Sequence, residues 1–222
     1  MAVVHRTTMT PGKLELLASW LPTQPWYQGP DAGSAPQPAK AGGFRLDDPQ
    51  GEVGIEFMAV TDGAGDRPVT YLVPLTYRGA PLDGAQHALI GTSEHGVLGR
   101  RWIYDGTHDP VLVDRLYALV LGEAEAQAQS ESDRPDPSVT GWSADAGRPG
   151  PLSVLEVSAG PDTSDVRVQT SAGKLTISVQ RVLRPVPAQA DPATGQLLGH
   201  VTADWSLPDG TKARGRYAVV HA

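Results

Sequence analysis

The sequence predicts an α+β fold: two helices set among antiparallel strands, with a β-rich stretch closing the chain. Three observations predict it. Leu14, Leu17 and Leu21 recur at three- and four-residue spacings, the period of one helix face. Val53, Ile55, Phe57 and Ala59 alternate with Gly54, Glu56, Met58 and Val60, the period of a strand. From residue 152 onward the apolar runs are short and bounded by turn residues, the pattern of successive strands.

The first helix is expected over residues 9–21, with Thr10 as N-cap, Pro11 in the first helical position and Pro22 as the stop. Leu16 and Trp20 widen its stripe, whose plain meaning is core packing. Residues 28–43 hold Pro30, Pro36 and Pro38 among several Gly and Ala, without periodicity, and read as a mobile loop. The alternating run from Val53 and the extended run from Val69 to Tyr77 read as a hairpin across Asp62–Asp66. Pro74 cannot donate to a ladder, so the second run is expected at an edge or at a bulge. Residues 78–99 read as polar loop with a short apolar patch at Ala88–Ile90, and Arg101–Tyr104 as a short strand. Asp109 and Pro110 then open the clearest helix, to about residue 121, with Leu112, Val113, Leu116, Tyr117 and Val120 on its stripe.

Residues 123–150 carry three prolines and many Ser, Asp, Glu and Gly. The expected division is a module over 1–130, a linker over 131–151 and an antiparallel β module over 152–222. Within the last, Leu152–Ser158, Asp165–Thr170 and Leu175–Leu183 are strand candidates, the latter two joined at Ser171–Gly173. After a loop at Pro185–Gly195, His200–Leu207 and Lys212–Val220 form a hairpin across Pro208-Asp209-Gly210.

Composition removes several chemistries. With no cysteine among 222 residues there is no disulfide framework, thiol nucleophile, iron–sulfur centre or Cys-based zinc site. A net charge of −7 disfavours general nucleic-acid binding, which needs Lys and Arg in excess. No apolar run approaches the ~18 residues of a membrane span. The first residues lack a charged segment followed by an apolar one, so a cytoplasmic protein is expected.

The motif inventory is thin. His87, Glu94, His95, His108 and Asp109 are the nearest approach to a metal cluster, but they spread over about 20 residues with no ligand spacing such as H-E-x-x-H, and no metal is expected. Ser93 and His95 lie close in sequence without a nucleophile elbow. Both phosphate-binding glycine motifs are absent. Asp47-Asp48 and Asp105/Asp109 are available as carboxylate pairs, though turns and caps explain them as well. Trp20, Trp26, Tyr27 and Trp102 could stack on a sugar, or simply fill the core.

Three stretches together resemble one family. They are Trp20-Leu21-Pro22-Thr23-Gln24-Pro25-Trp26-Tyr27, Tyr71-Leu72-Val73-Pro74-Leu75-Thr76-Tyr77-Arg78, and Gly91-Thr92 with Glu94 through Val111, which includes Trp102-Ile103-Tyr104-Asp105-Gly106-Thr107-His108-Asp109-Pro110. The resemblance is to the N-terminal cap subdomain of the actinobacterial maltokinases, over roughly residues 9–125. It implies a cystatin-like cap, a helix on a twisted antiparallel sheet plus a second helix. Thr163–Val166 and Leu175–Arg184 resemble, more weakly, the β-rich intermediate subdomain of the kinase N-lobe.

Maltokinases phosphorylate maltose with ATP, on the route from trehalose to α-glucan. No H-G-D-x-H-like catalytic loop occurs here, Ser178 stands where the family's strand lysine would hold the ATP phosphates, and Pro25 stands where the family often has Arg. The resemblance therefore implies a stand-alone cap-like protein lacking the kinase C-lobe, without catalytic residues or cofactor. It would be a partner or regulator of a maltokinase-like or α-glucan enzyme, and any phosphotransfer would need a partner chain. The alternative is a sugar-, phosphosugar- or ATP-binding protein, or a kinase-like enzyme, with its pocket between the two modules. Arg100, Arg101, Trp102, Tyr104 and His108 are the candidate ligand or partner surface, an oligosaccharide included.

Overall fold

The computed structural model describes residues 8–29, 35–63, 68–131, 133–144, 150–186 and 197–222. In chain order the elements are β1 (Met9–Thr10), α1 (Lys13–Trp20), β2 (Pro38–Leu46), β3 (Gly54–Asp62), β4 (Val69–Arg78), β5 (Leu89–His95), β6 (Gly99–Asp105), α2 (Pro110–Val120), β7 (Gln127–Ala128) and β8 (Thr140–Ser143). β9 (Ser153–Ala159), β10 (Thr163–Thr170), β11 (Gly173–Gln180), β12 (Leu197–Ser206) and β13 (Lys212–His221) follow. All the strands join one sheet, in the order β1-β5-β6-β4-β3-β2-β12-β13-β11-β10-β9, with β7 on β2 and β8 on β12. The fold is mixed and strand-dominated, with antiparallel pairing and two helices, compatible with the α+β cap and β-rich module expected.

The helices lie on opposite sides of the β3–β4–β6 region. Leu17 and Leu21 pack with Met58, Val60, Tyr71, Val73, Leu75 and Ile103 on one face. On the other face, Ile55, Phe57, Ala59 and Leu72 meet Leu112, Val113, Leu116 and Tyr117 of α2. That second core also takes in Val166, Val168, Ile177, Val179, Val201, Ala203 and Trp205 from β10, β11 and β12. Seven residues of α2 are buried, from Leu112 through Val120. A helix apolar nearly all round must be enclosed, and the long sheet supplies walls from both halves of the chain.

Several elements differ from expectation. Residues 9 and 10 are not helical, because Met9 and Thr10 pair with His95 and Glu94. The helix starts at Lys13 with Gly12 as its N-cap, where the Gly12 N–H donates to Glu15 Oε2 at 2.6 Å. Pro22 lies in a 3₁₀ turn, Leu21–Thr23, that prolongs the helix. The end of the expected 28–43 loop is the start of β2, which bulges between Lys40 and Gly42. Gly43 is indispensable there: at φ 126° a Cβ would sit 2.0 Å from Phe57 O. Residues 30–34, in that same loop, lie outside the described residues, as do most of the tip at 62–66 and of the loop at 185–195.

Pro74 is not in an edge strand. Its strand pairs with β3 throughout, while β6 begins its pairing only at Leu75. On the side facing β6, Leu72 N–H donates to Arg181 O at 2.9 Å. Pro74 is two residues on and points the same way, so its missing N–H falls in the gap between the two partners. Part of the segment read as polar loop is β5, whose bulge between Leu89 and Gly91 breaks the alternation. Within the expected linker, β8 pairs with β12 from Thr140↔Thr202 to Ser143↔Gly199. The strand expected over 175–183 ends at Gln180, and the chain then crosses to β4 through a bridge of Val182 to Tyr71.

Truncating the centre of the shared core provides a direct check. Leu116→Ala is expected to cost about 2–5 kcal/mol, as buried leucine truncations do, measured by urea unfolding.

Candidate functional site

The signature stretch 99–110 forms a corner where β6 turns into α2. Asp105 accepts from the Thr107 N–H at 3.1 Å and from the Thr107 hydroxyl at 2.8 Å, which shapes the 3₁₀ turn Gly106–His108. Gly106 has no room for a side chain, since a Cβ would lie 2.2 Å from Leu112 Cδ1. Asp109 caps α2 by accepting from the Val111 N–H at 3.0 Å. Arg78 donates to both oxygens of the same carboxylate, Nε at 2.6 Å and Nη2 at 2.7 Å. This two-point contact fixes the cap against β4.

The other carboxylate of the corner reaches across the chain. Arg181, 0% exposed, donates through Nη2 to Asp105 Oδ2 at 2.5 Å and to Thr107 Oγ1 at 3.1 Å, and through Nε to Ser164 Oγ at 2.8 Å. Its guanidinium lies 5.0 Å from the Trp26 ring centroid, a cation–π contact on the side left by those bonds. Burial by itself would raise the Asp105 carboxyl, but the Arg181 charge and hydrogen bond, helped by His108 and Thr107, overcome it and hold the group below its ordinary value. A second buried carboxylate, Glu56, is held in the same way: burial raises it, and Lys13, Tyr77 and Gln129 together pull it down. Lys13 Nζ lies 2.9 Å from both its oxygens, Tyr77 Oη 2.5 Å from one and Gln129 Nε2 2.7 Å from the other.

The five sequence candidates are only partly brought together. Along β6, Arg100, Trp102 and Tyr104 share one face, while Arg101 points to the α1 side with Ile103. Tyr104 is buried, and its oxygen accepts from the Leu82 N–H at 2.9 Å. Trp102 packs half-buried beside it. Arg100 is exposed and bonds Glu94 directly opposite at 2.7 Å. Arg101 donates to Leu98 O at 2.5 Å. His108 meets His87, Nδ1 to Nε2 at 3.1 Å with the rings nearly perpendicular. Burial lowers His108; Asp105 opposes this, and His87 and Arg181 add to it.

The remaining candidates take structural parts. The Ser93 hydroxyl donates to Pro11 O at 2.8 Å. Asp48 accepts from the backbone of Gln50, Glu52 and Val53 and so closes a turn. Trp26 is buried between Trp20 and Tyr71. Ser178 is buried within β11, opposite Val219. Among the described residues, no group of three or more His, Asp or Glu is arranged to hold a metal ion. No helix among them is long and apolar enough to cross a membrane. Sequence reasoning did not single out Arg181, whose one signal was its place in the strand candidate Leu175–Leu183 beside Val179, Val182 and Leu183.

A sheet flanked by a helix on each face, with a capped turn closing β6 onto α2, defines a cap-type α+β module. Residues 20–109 match the family model of the maltokinase N-terminal cap domain. The match runs from the end of α1 to the N-cap of α2, less than half of the chain. No curated protein matches the chain.

Two outcomes test the corner. Asp105→Asn leaves Arg181 buried and charged without its counter-ion, and is expected to cost about 3–5 kcal/mol. The depressed Asp105 stabilises the fold fully above the unfolded value of about 3.9 and loses that effect as pH falls through its lower folded value. Stability-against-pH curves should therefore fall less steeply in the variant below about pH 4, with Glu56 supplying the slope that remains. His108 has the opposite charge type, and its folded value lies below the unfolded one of about 6.5, so protons favour the unfolded chain as pH drops below that point. His108→Gln is expected to flatten thermal stability between about pH 6.5 and pH 5.

Proposed function

We propose that the chain is a non-catalytic partner or regulator of a maltokinase-like or α-glucan enzyme, working in the cytoplasm between maltose or trehalose and α-glucan. The observation that carries this reading is the tip of the β5–β6 hairpin, within the family segment. Val97 and Leu98 are 62% and 46% exposed there. The tip is built stiffly. Both N–H groups donate to His95 Nδ1, at 3.3 and 3.0 Å, and Arg101 holds the Leu98 carbonyl. Arg100 and Glu94 flank it as an ion pair.

An apolar pair held by hydrogen bonds and flanked by an ion pair fits the anatomy of a protein contact, with an apolar centre and a polar rim. Arg100 and Trp102 extend that surface along one face of β6. The interior carries less promise for a small ligand. Where the two halves meet, Trp26 and Arg181 fill the space, and the polar groups of the signature bond one another.

The test is isothermal titration of the purified chain with a purified maltokinase, and with ATP, maltose and trehalose separately. A complex in the micromolar range is expected, weakened at least tenfold by Leu98→Asp with Arg100→Glu while circular dichroism stays unchanged. Absence of binding to that kinase and to α-glucan-synthesising enzymes overturns the reading. Heat with ATP or a disaccharide alone transfers support to the ligand alternative.

A further inference from the structure

The outer face of β8, β12 and β13 carries a second surface that the cap signature does not touch. Trp142 lies in β8, is 45% exposed, and stacks on His200 of β12 with centroids 5.3 Å apart and planes at 28°. One indole face is thus covered by His200, and nearly half of the side chain remains exposed. Thr140 and Thr202, the next pair along the same two strands, join their hydroxyls at 2.7 Å. Arg216 of β13 sits opposite Thr202 and close enough to His200 for its charge to act there. Among the described residues, Arg216 has no hydrogen-bond or ion-pair partner. Its neighbour Arg214 is by contrast fully engaged, with Asp204 at 2.7 Å, Thr140 at 2.8 Å and Thr202 at 2.9 Å.

The strands beneath are pinned. A Cβ on Gly141 would come 1.9 Å from Leu119 O, and one on Gly199 would come 2.4 Å from Val120 Cγ1. β8 and β12 therefore lie directly on the buried α2, and Trp142 projects from a scaffold with little freedom to yield. A partly exposed indole beside hydroxyls and an uncommitted guanidinium matches one chemistry well. A pyranose ring has an apolar C–H face that stacks on an aromatic ring and a rim of hydroxyls that accept and donate hydrogen bonds. A phosphate ligand fits less well, because Asp204 places a carboxylate on the same face and the chain is acidic.

We propose that this face is an oligosaccharide-binding platform, with a hexose ring stacked on Trp142 and its hydroxyls bonded by Arg216, Thr140 and Thr202. Burial, with the Arg216 charge adding to it, lowers His200. The imidazole beneath the indole is therefore neutral at pH 7, and a neutral saccharide meets no second cation there.

The experiment is ¹⁵N NMR titration of the whole chain with maltoheptaose, cellohexaose and inorganic phosphate. It needs no second protein, so it stands or falls separately from the partner reading. The expected result is a saturable shift of the Trp142 indole N–H with at least one saccharide, at least tenfold weaker binding in Trp142→Ala and several-fold weaker binding in Arg216→Gln. Arg216→Gln guards against a folding defect in the tryptophan variant. The proposal is overturned if neither saccharide moves that signal, if both variants bind as the parent does, or if only phosphate shifts it.

Discussion

A guanidinium with no exposure to water has to be accommodated before anything else in this fold can settle. Arg181 carries a permanent charge into the interior, at a desolvation cost of several kcal/mol even after relaxation. Four side chains make that tolerable, and they come from widely separated places: Trp26 after the first helix, Asp105 and Thr107 from the corner, Ser164 from β10. None can move far without leaving a buried charge or hydroxyl unpaired. The backbone follows the same constraint. Leu72 and Leu183 exchange bonds across the joint, with Arg181 O and Thr70 O accepting, so the chain after β11 is sewn onto β4 at the point where the charge is held.

The polar joint has an apolar counterpart across the sheet. The α2 helix is capped by Asp109, and the Asp109 carboxylate is gripped by Arg78. The helix then runs into a core formed by both halves of the chain. The corner between β6 and α2 thus serves two attachments at once. Asp105 faces Arg181 and Asp109 faces Arg78, four residues apart along a turn that Gly106 alone can make. Sheet continuity, through the single β2–β12 pair at Gly42 and Trp205, adds little by comparison.

Legibility in the sequence tracked local pattern. The α2 helix was plain because cap, proline and stripe all agree in one short segment, and the hairpin of β12 and β13 because Asp209 and Gly210 specify the turn. β2 and β5 were not, although β9, β12 and β13 also carry register shifts and were read as strands. β2 and β5 each carry an extra residue that shifts the alternation, at Lys40–Gly42 and Leu89–Gly91. Thr10 was a fair cap on local grounds, but pairing with Glu94, 84 positions away in the chain by subtraction, took precedence. The signature itself was visible as a run of unusual residues, and Arg181, the charge it answers to, was not. Long-range pairing of a lone arginine leaves no periodicity to read.

That asymmetry bears on how a family motif should be interpreted. Asp, Thr, His and Asp in close succession suggest chemistry, and here their groups bond to Arg181, to one another, to His87 and to Arg78. The motif specifies a joint. A motif of this kind can be retained by fold requirements alone, so it says little about ligand or activity. Among the described residues, the two proposed surfaces are places where side chains remain available, and they differ in character. The β5–β6 tip presents apolar side chains stiffened by backbone bonds, a geometry suited to excluding water from a protein contact. Among the described residues, the β8–β12–β13 face presents one partly exposed ring amid hydroxyls and a guanidinium without a hydrogen-bond or ion-pair partner, the features on which the saccharide proposal rests. One surface lies within the family segment and the other outside it. The tip lies in the segment that the cap-domain model matches, and the Trp142 face lies in the remainder of this chain.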